Sequence, residues 1–245
     1  MKIGIIGIGV VGGSLVKWLI SNTKHSIARW DPYKGFTEDL SGSEAIFICI
    51  PVKPNETGQA VSELESTVKF AKQFTNKVFI RSTVLPGTND LLETISCPEF
   101  LTARVADKEM ERIPILVGEC NPFLISEIFP KKEITMVKNK EAELAKFAHN
   151  CFGAMKVTFF NMIYNISKDL EIDYEKVLGG ILMSGFINKP HTQVPGPDGK
   201  CGYGGACFPE NMEALGNYFE SKGFDEYSEL FKSVIELNRT NREMY

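Results

Sequence analysis

Two groups of residues have types and spacing that could do chemistry. The first is GIGVVG at residues 7–12, a complete G-x-G-x-x-G set that follows the apolar run KIGII and precedes GGSLVKWLI. In that setting Gly7 permits a tight turn, Gly9 lets backbone approach a pyrophosphate, and Gly12 allows close packing of helix on strand. The amides of Val10 and Val11 then open a helix whose N-terminus carries partial positive charge. Asp31 ends the next apolar run, 19 residues after Gly12, where a carboxylate hydrogen-bonds the adenosine ribose hydroxyls and repels a 2′-phosphate. NAD is the expected cofactor, with Arg29 and Lys34 as the nearby cations that would speak for NADP. The plainer reading is a tight turn followed by a solvated strand end. The second group is GYGGACFPEN at 202–211, where Cys207 stands behind three glycines and two residues before a proline. It is either a nucleophile presented by flexible backbone or a small apolar side chain tucked beneath it, the commonest fate of a free cysteine.

The elements that must position these groups follow from hydrophobic periodicity. KIGIIGI, SIARWD, AIFICIP, KVFIRST, PILVGE and EITMVK read as short strands, and residues 11–21, 57–74, 87–95 and 121–128 read as helices between them. Strands alternating with helices imply a parallel sheet covered on both faces. From residue 140 the pattern becomes helical throughout. The expected fold is therefore α/β, a Rossmann-type doubly wound parallel sheet over residues 1–139 followed by an all-helical domain over 140–245. Residues that end strands face the crevice of such a sheet, which makes Pro51, Ser82 and Thr83 candidate cofactor contacts. The Gly- and Pro-rich stretch 186–206 is long for a connection and reads as a functional loop.

Composition narrows the partners. The net charge of −4 leaves no basic footprint for nucleic acid or an anionic membrane, and no apolar run nears the roughly 20 residues of a membrane span. The glycine-spaced N-terminus reads as a strand and turn rather than a leader, so a soluble cytoplasmic protein is expected. Six cysteines and three histidines fall without C-x-x-C or H-x-x-x-H spacing, and no metal site is expected.

STVLPGT (82–88), CPEFL (97–101), AELAKFAHNCFGAMKVTFFN (142–161) and PGPDGKCGYGGACFPEN (195–211) together resemble, in order, the signature segments of the UDP-glucose/GDP-mannose dehydrogenase family. The resemblance implies oxidation of a sugar C6 alcohol to a carboxylate in two NAD-dependent steps. By motif position Cys207 captures the aldehyde and becomes a thioester. A thiolate fits that task because it adds to a carbonyl readily and still leaves on hydrolysis. Lys146 and Asn150 match the family's catalytic lysine and asparagine, the ammonium stabilising an oxyanion and the amide donating to it or holding a water. Taken alone, the two could equally be a solvated helix face with Glu143 paired to Lys146. Glu99 is implied to assist proton transfer or place the hydrolytic water, and Thr83 to order that water and the nicotinamide. Cys201 lacks the family position. Lys189 and His191 are candidate contacts to substrate phosphate.

The sequence departs from the family pattern in three places. Asn211 stands where the family has a catalytic aspartate, and an amide cannot accept a proton from water at neutral pH. Ala103 replaces a second glutamate after CPEFL. The interval between Asp31 and AIFICIP is short, implying loss of a helix from the first domain. The resemblance also implies a nucleotide-sugar substrate and a homodimer formed through the helical domain, whose amphipathic stretches at 140–170 and 225–244 are fitted to such packing. The family continues into a nucleotide-sugar-binding domain, and these 245 residues are expected to be a short form without it. Two other functions stay open: a two-domain β-hydroxyacid dehydrogenase using Lys146, and a degenerate NAD-binding module without catalysis.

Overall fold

The computed structural model of the protein describes residues 1–56 and 58–243. Contacts divide the chain into two units, Met1–Lys53 with Gln59–Phe147, and Pro54–Gly58 with Ala148–Tyr245.

The first unit begins with β1 (Lys2–Ile6), α1 (Val10–Asn22) and β2 (Ser26–Asp31). After Asp31 the chain makes a single 3-10 turn, reverses at left-handed Gly35 (φ 77°) and forms the two-residue β3 (Phe36–Thr37), antiparallel to β2. A strand-helix-strand crossover is thus missing here, as the short interval after Asp31 implied. β4 (Ala45–Ile48) is followed by Pro54–Gly58, which belongs to the second unit and holds β5 (Pro54–Asn55), then by β6 (Gly58–Gln59), α2 (Ser62–Ala71), β7 (Val78–Ile80), α3 (Thr88–Leu91) and β8 (Ile95–Ser96). The main sheet has the order β3-β2-β1-β4-β7-β8 and is parallel except for β3. α4 (Ala106–Arg112), β9 (Ile115–Gly118), α5 (Pro122–Ile128) and β10 (Ile134–Val137) complete the unit, β9 and β10 forming a parallel pair. Asn121 starts α5 by accepting hydrogen bonds from the amides of Phe123 and Leu124, with Pro122 in the first turn.

Strand residues alternate between two buried faces. Ile3, Ile5, Phe47 and Phe79 pack against Leu15 and Leu19 of α1 and Leu124 and Ile128 of α5. Ile46, Ile48, Val78 and Ile80 meet Leu64, Val68 and Ala71 of α2. Burial on both faces explains why these strands read as nearly unbroken apolar runs.

Two expected helices are shorter than periodicity implied. Within 57–74, helix begins only at Ser62, because the buried Gln59 is held extended: its side chain donates to the carbonyls of Val52 and Thr83 and accepts from the amide of Leu85. Within 87–95, α3 stops at Leu91. Glu93 turns left-handed (φ 49°), Thr94 donates back to Asn89, and the chain enters β8.

In the second unit α6 (Asn139–Asp169), which starts in the first, continues through 31 residues and is followed by α7 (Tyr174–Leu182), α8 (Cys207–Ser221) and α9 (Asp225–Glu243). Phe160, Tyr174, Leu178, Val194 and Cys201 form a core cluster. Gly216 on α8 permits close approach of α9, since a Cβ there would lie 3.2 Å from the Cβ of Phe231. α8 begins at Cys207, directly after the glycine loop, and Pro209 is accommodated in its first turn, where no intrahelical N–H is needed. Among the described residues no helix is long and apolar enough to cross a membrane, and no group of three His, Cys, Asp or Glu side chains could hold a metal ion.

Candidate cofactor and catalytic sites

In the first unit the expected cofactor residues stand at or just beyond the C-terminal ends of strands or in the first turn of α1. Gly7 follows β1 and is left-handed (φ 86°), and Gly9 caps α1, whose first residues are Val10 and Val11. A Cβ on Gly7 would lie 2.7 Å from the carbonyl oxygen of Cys49, and one on Gly12 would lie 2.0 Å from that of Gly7, so the turn itself demands both glycines. At Gly9 an added Cβ meets nothing within 4 Å. Its missing side chain leaves open space at the start of α1, which a pyrophosphate fits. Asp31 ends β2 and accepts the amide proton of Ile8 at 2.8 Å through Oδ2, so the carboxylate braces the glycine turn. Pro51 follows β4, and Ser82 and Thr83 follow β7; Ser82 Oγ donates to the carbonyl of Ile50. The strand order reverses between β1 and β4, the position where open α/β sheets bind nucleotides.

The two cations near Asp31 are both engaged. Arg29 is paired with Glu38 and stacks over Phe36, and its guanidinium holds the Glu38 carboxyl below its ordinary range. Lys34 Nζ donates to the carbonyl of Ile8 at 2.8 Å. This arrangement favours ribose hydroxyls over a 2′-phosphate beside Asp31. A cavity of about 370 Å³ opens against Gly9, Val10 and Gly13 and is closed on its other side by Ala103–Lys108.

Of the expected catalytic residues, Thr83, Glu99 and Lys146 belong to the first unit. Lys146 Nζ lies 3.2 Å from Glu99 Oε1, with side chains only 4% and 8% exposed, and 5.4 Å from the ring centre of Phe100. Glu99 Oε2 also accepts the amide of Leu101. Glu143, which the plainer reading paired with Lys146, turns elsewhere: it accepts the amides of Gly87 (2.6 Å) and Asn89 (2.8 Å), fixing the turn after Thr83. Asn139 likewise accepts the amide of Ser96 and donates to the carbonyl of Thr94. The first turns of α6 are therefore fastened to the loops that carry Thr83 and Glu99.

Cys207, Asn150 and Asn211 belong to the second unit. Asn150 Nδ2 donates to Asn211 Oδ1 at 2.6 Å, both side chains being buried, and Cys207 precedes Asn211 by one turn of α8. None of the six cysteines is in a disulfide. Burial pushes the thiols of Cys49 and Cys151 up to about 12 and that of Cys120 to about 11, and also raises Cys97 and Cys201. Cys207 is the exposed one. The glycine loop before it is held by two asparagines that sequence reasoning passed over. Asn161 accepts the amide of Gly202, and Asn238 both accepts the amide and donates to the carbonyl of Tyr203. Their only sequence signal is a polar amide within an apolar helical stretch. Lys156 Nζ donates to Asn188, and His191 packs its ring 5.3 Å from that of Phe208. Partial burial against this ring, with Lys156 and His149 nearby, lowers the His191 pKa.

Residues 140–240, which contain Lys146, Asn150, Cys207 and Asn211, match the central domain of the UDP-glucose/GDP-mannose dehydrogenase family. These residues belong to that family. A UDP-glucose 6-dehydrogenase of Bacillus subtilis is 29% identical over 236 residues, covering 85% of this chain and 51% of the relative. A GDP-mannose 6-dehydrogenase of Pseudomonas aeruginosa is 28% identical over 211 residues, covering 74% of this chain and 48% of the relative. The chain spans about half the length of the curated relatives it matches. A solved UDP-glucose dehydrogenase from Pyrobaculum islandicum superposes with a TM-score of 0.83 at 20% identity, over 96% of this chain and 68% of that one, which shows the shared fold.

Proposed function

We propose that this member of the UDP-glucose/GDP-mannose dehydrogenase family oxidises the C6 alcohol of a nucleotide sugar to a carboxylate, with Cys207 as the covalent nucleophile and NAD as oxidant. The observation that carries the proposal is the position of Cys207: the single exposed thiol of six, in the first turn of a helix, delivered by a glycine loop whose backbone is clamped by Asn161 and Asn238. NAD, bound twice in succession, would supply a hydride acceptor for each of the two oxidations. The residues that hold it are Gly7, Gly9, Val10, Val11, Gly12, Asp31, Pro51, Ser82 and Thr83, and residues 1–139 form the cofactor domain.

The chain's own groups divide the remaining work. Loss of the first hydride and of the hydroxyl proton gives the aldehyde. The Cys207 sulfur then bonds to C6, forming a hemithioacetal, and the positive end of the α8 dipole favours negative charge at that sulfur. Lys146 and Asn150 stabilise the oxygen of C6 as it becomes anionic, with Lys146 held in place by Glu99. Removal of the second hydride, with loss of the hydroxyl proton to solvent, leaves a thioester, and water attacking its carbonyl carbon releases the carboxylate, a proton and the thiol. Glu99 and Thr83 place that water. Asn211 accepts a hydrogen bond from Asn150 but cannot take the proton an aspartate would, so thioester hydrolysis is the slow step. Residues 140–245 form the helical domain. A second copy of the chain pairs with it through α6, where Phe152, Phe159, Met162 and Ile166 form an exposed apolar stripe.

The test is incubation with NAD and, in turn, UDP-glucose, UDP-N-acetylhexosamines and GDP-mannose, with intact-mass measurement after rapid quench. The expected result is an NADH burst followed by slower turnover, an acyl adduct on Cys207 that is absent from C207S, and faster steady-state turnover in N211D. No NADH above the C207S background with any of these sugars would overturn the proposal.

A further inference from the structure

The cavity beside α1 has two glycines, Gly9 and Gly13, on one wall and, on the other, two cations with no partner among the described residues. On the α1 wall, Cβ atoms added at Gly9 or Gly13 would meet nothing within 4 Å, so packing requires neither glycine. Gly13 lies in the first turns of a helix, where alanine is the better helix former, and the fold alone gives no reason for it. The opposite wall carries Arg104 and Lys108. Both are exposed, and neither has a hydrogen bond or ion pair among the described residues. The acid beside them is already taken: Asp107 accepts from Lys17 and from Ser14, each at 2.7 Å, and these contacts hold its carboxyl below the ordinary range. Lys17 is spent in the same pair. The positive charge left facing the cavity is that of Arg104, Lys108 and the N-terminal end of the α1 dipole, across from the backbone at Gly9 and Gly13.

We propose that Arg104 and Lys108 grip the pyrophosphate of an adenine dinucleotide from the side opposite the glycine fingerprint, and that Gly13 is absent of side chain so that this pyrophosphate can approach α1. The inference rests on the reading of the first unit as an NAD site and adds residues to it. Two diffuse cations suit a diphosphate, which offers several anionic oxygens across a cavity of this width.

The test is calorimetric binding of NAD, ADP and adenosine to wild type, R104Q, K108Q, R104Q/K108Q and G13A, at low and high salt, with K69Q on α2 as an exposed control. Each single cation variant is expected to weaken NAD and ADP by about threefold and the double variant by about tenfold, as for solvent-accessible ion contacts. Adenosine binding stays unchanged, K69Q behaves as wild type, and the double variant loses most of the salt dependence. G13A is expected to melt higher than wild type while binding NAD and ADP more weakly. If wild type binds NAD and ADP and the double variant matches it within about twofold, the clamp is wrong and the cofactor site stands. An equal loss of adenosine affinity also overturns the clamp. If wild type binds neither NAD nor ADP, the clamp and the cofactor reading fall together.

Discussion

Removing one partner of the Lys146–Glu99 pair should destabilise the protein far more than removing both. The two charges are 3.2 Å apart and 4% and 8% exposed, so solvent screens them little. At an effective dielectric near 20, a pair at this distance attracts by roughly 5 kcal/mol, while taking each ion out of water costs several kcal/mol. The net contribution of the pair is therefore small, but an orphaned charge retains its burial cost. K146M leaves a buried carboxylate supported by the Leu101 amide, and E99Q takes the anionic partner away from a buried ammonium that also lies beside Phe100. Each single variant is expected to lose about 3–5 kcal/mol, and K146M/E99Q only about 1–2 kcal/mol, a coupling of about 4 kcal/mol or more. Urea unfolding followed by tryptophan fluorescence is the fitting assay, because Trp18 and Trp30 both lie in the same unit as the pair and report its unfolding. Single losses that simply add in the double variant, to within about 0.5 kcal/mol, would refute the claim that these charges are interdependent.

Iodoacetamide at pH 7.5 should alkylate Cys207 first by a wide margin, since burial raises the other five thiols; peptide mass mapping that finds Cys49 or Cys120 labelled as fast would contradict the thiol environments described. The His191 ring should titrate below the ordinary histidine range, and K156M should move its NMR midpoint upward. Because its folded pKa is depressed, this histidine binds a proton more readily in the unfolded chain. Stability contributed by its neutral form is thus complete above about 6.5 and declines as pH falls from there toward the folded pKa. H191Q should flatten that decline, and unchanged acid sensitivity would count against it. G7A and G12A should each cost about 2 kcal/mol or more, from left-handed backbone with a carbonyl contact in the first and a direct carbonyl clash in the second. G9A should leave the thermal midpoint in place while abolishing NAD binding, and a large fall in midpoint would mean the fold needs Gly9 after all.

What could be read from the chain and what could not are separated by the range of the interactions involved. The fingerprint turn was legible because Gly7, Gly12 and the strand before them constrain one another within a few residues, and the missing crossover after Asp31 was legible because chain length limits topology. Local periodicity misjudged residues 57–74 and 87–95, where Gln59 and Asn89 are held by carbonyls and side chains from distant segments. Glu143 is the clearest case. Its spacing of three from Lys146 satisfies the rule for a helical ion pair, yet the fold brings it to the amides of Gly87 and Asn89, more than 50 residues away in sequence. A carboxylate that can satisfy two backbone donors while buried gains more there than from a surface pairing along its own helix. The same preference explains Asn139, Asn161 and Asn238. Each sits on a helix, and each spends its amide on a loop that carries Glu99 or leads to Cys207. Chemistry at such loops depends on backbone position, and backbone held by a buried amide stays in place in a way that an exposed loop does not. Candidates for chemistry could therefore be named from motif and type, whereas the residues that hold their loops still required the fold.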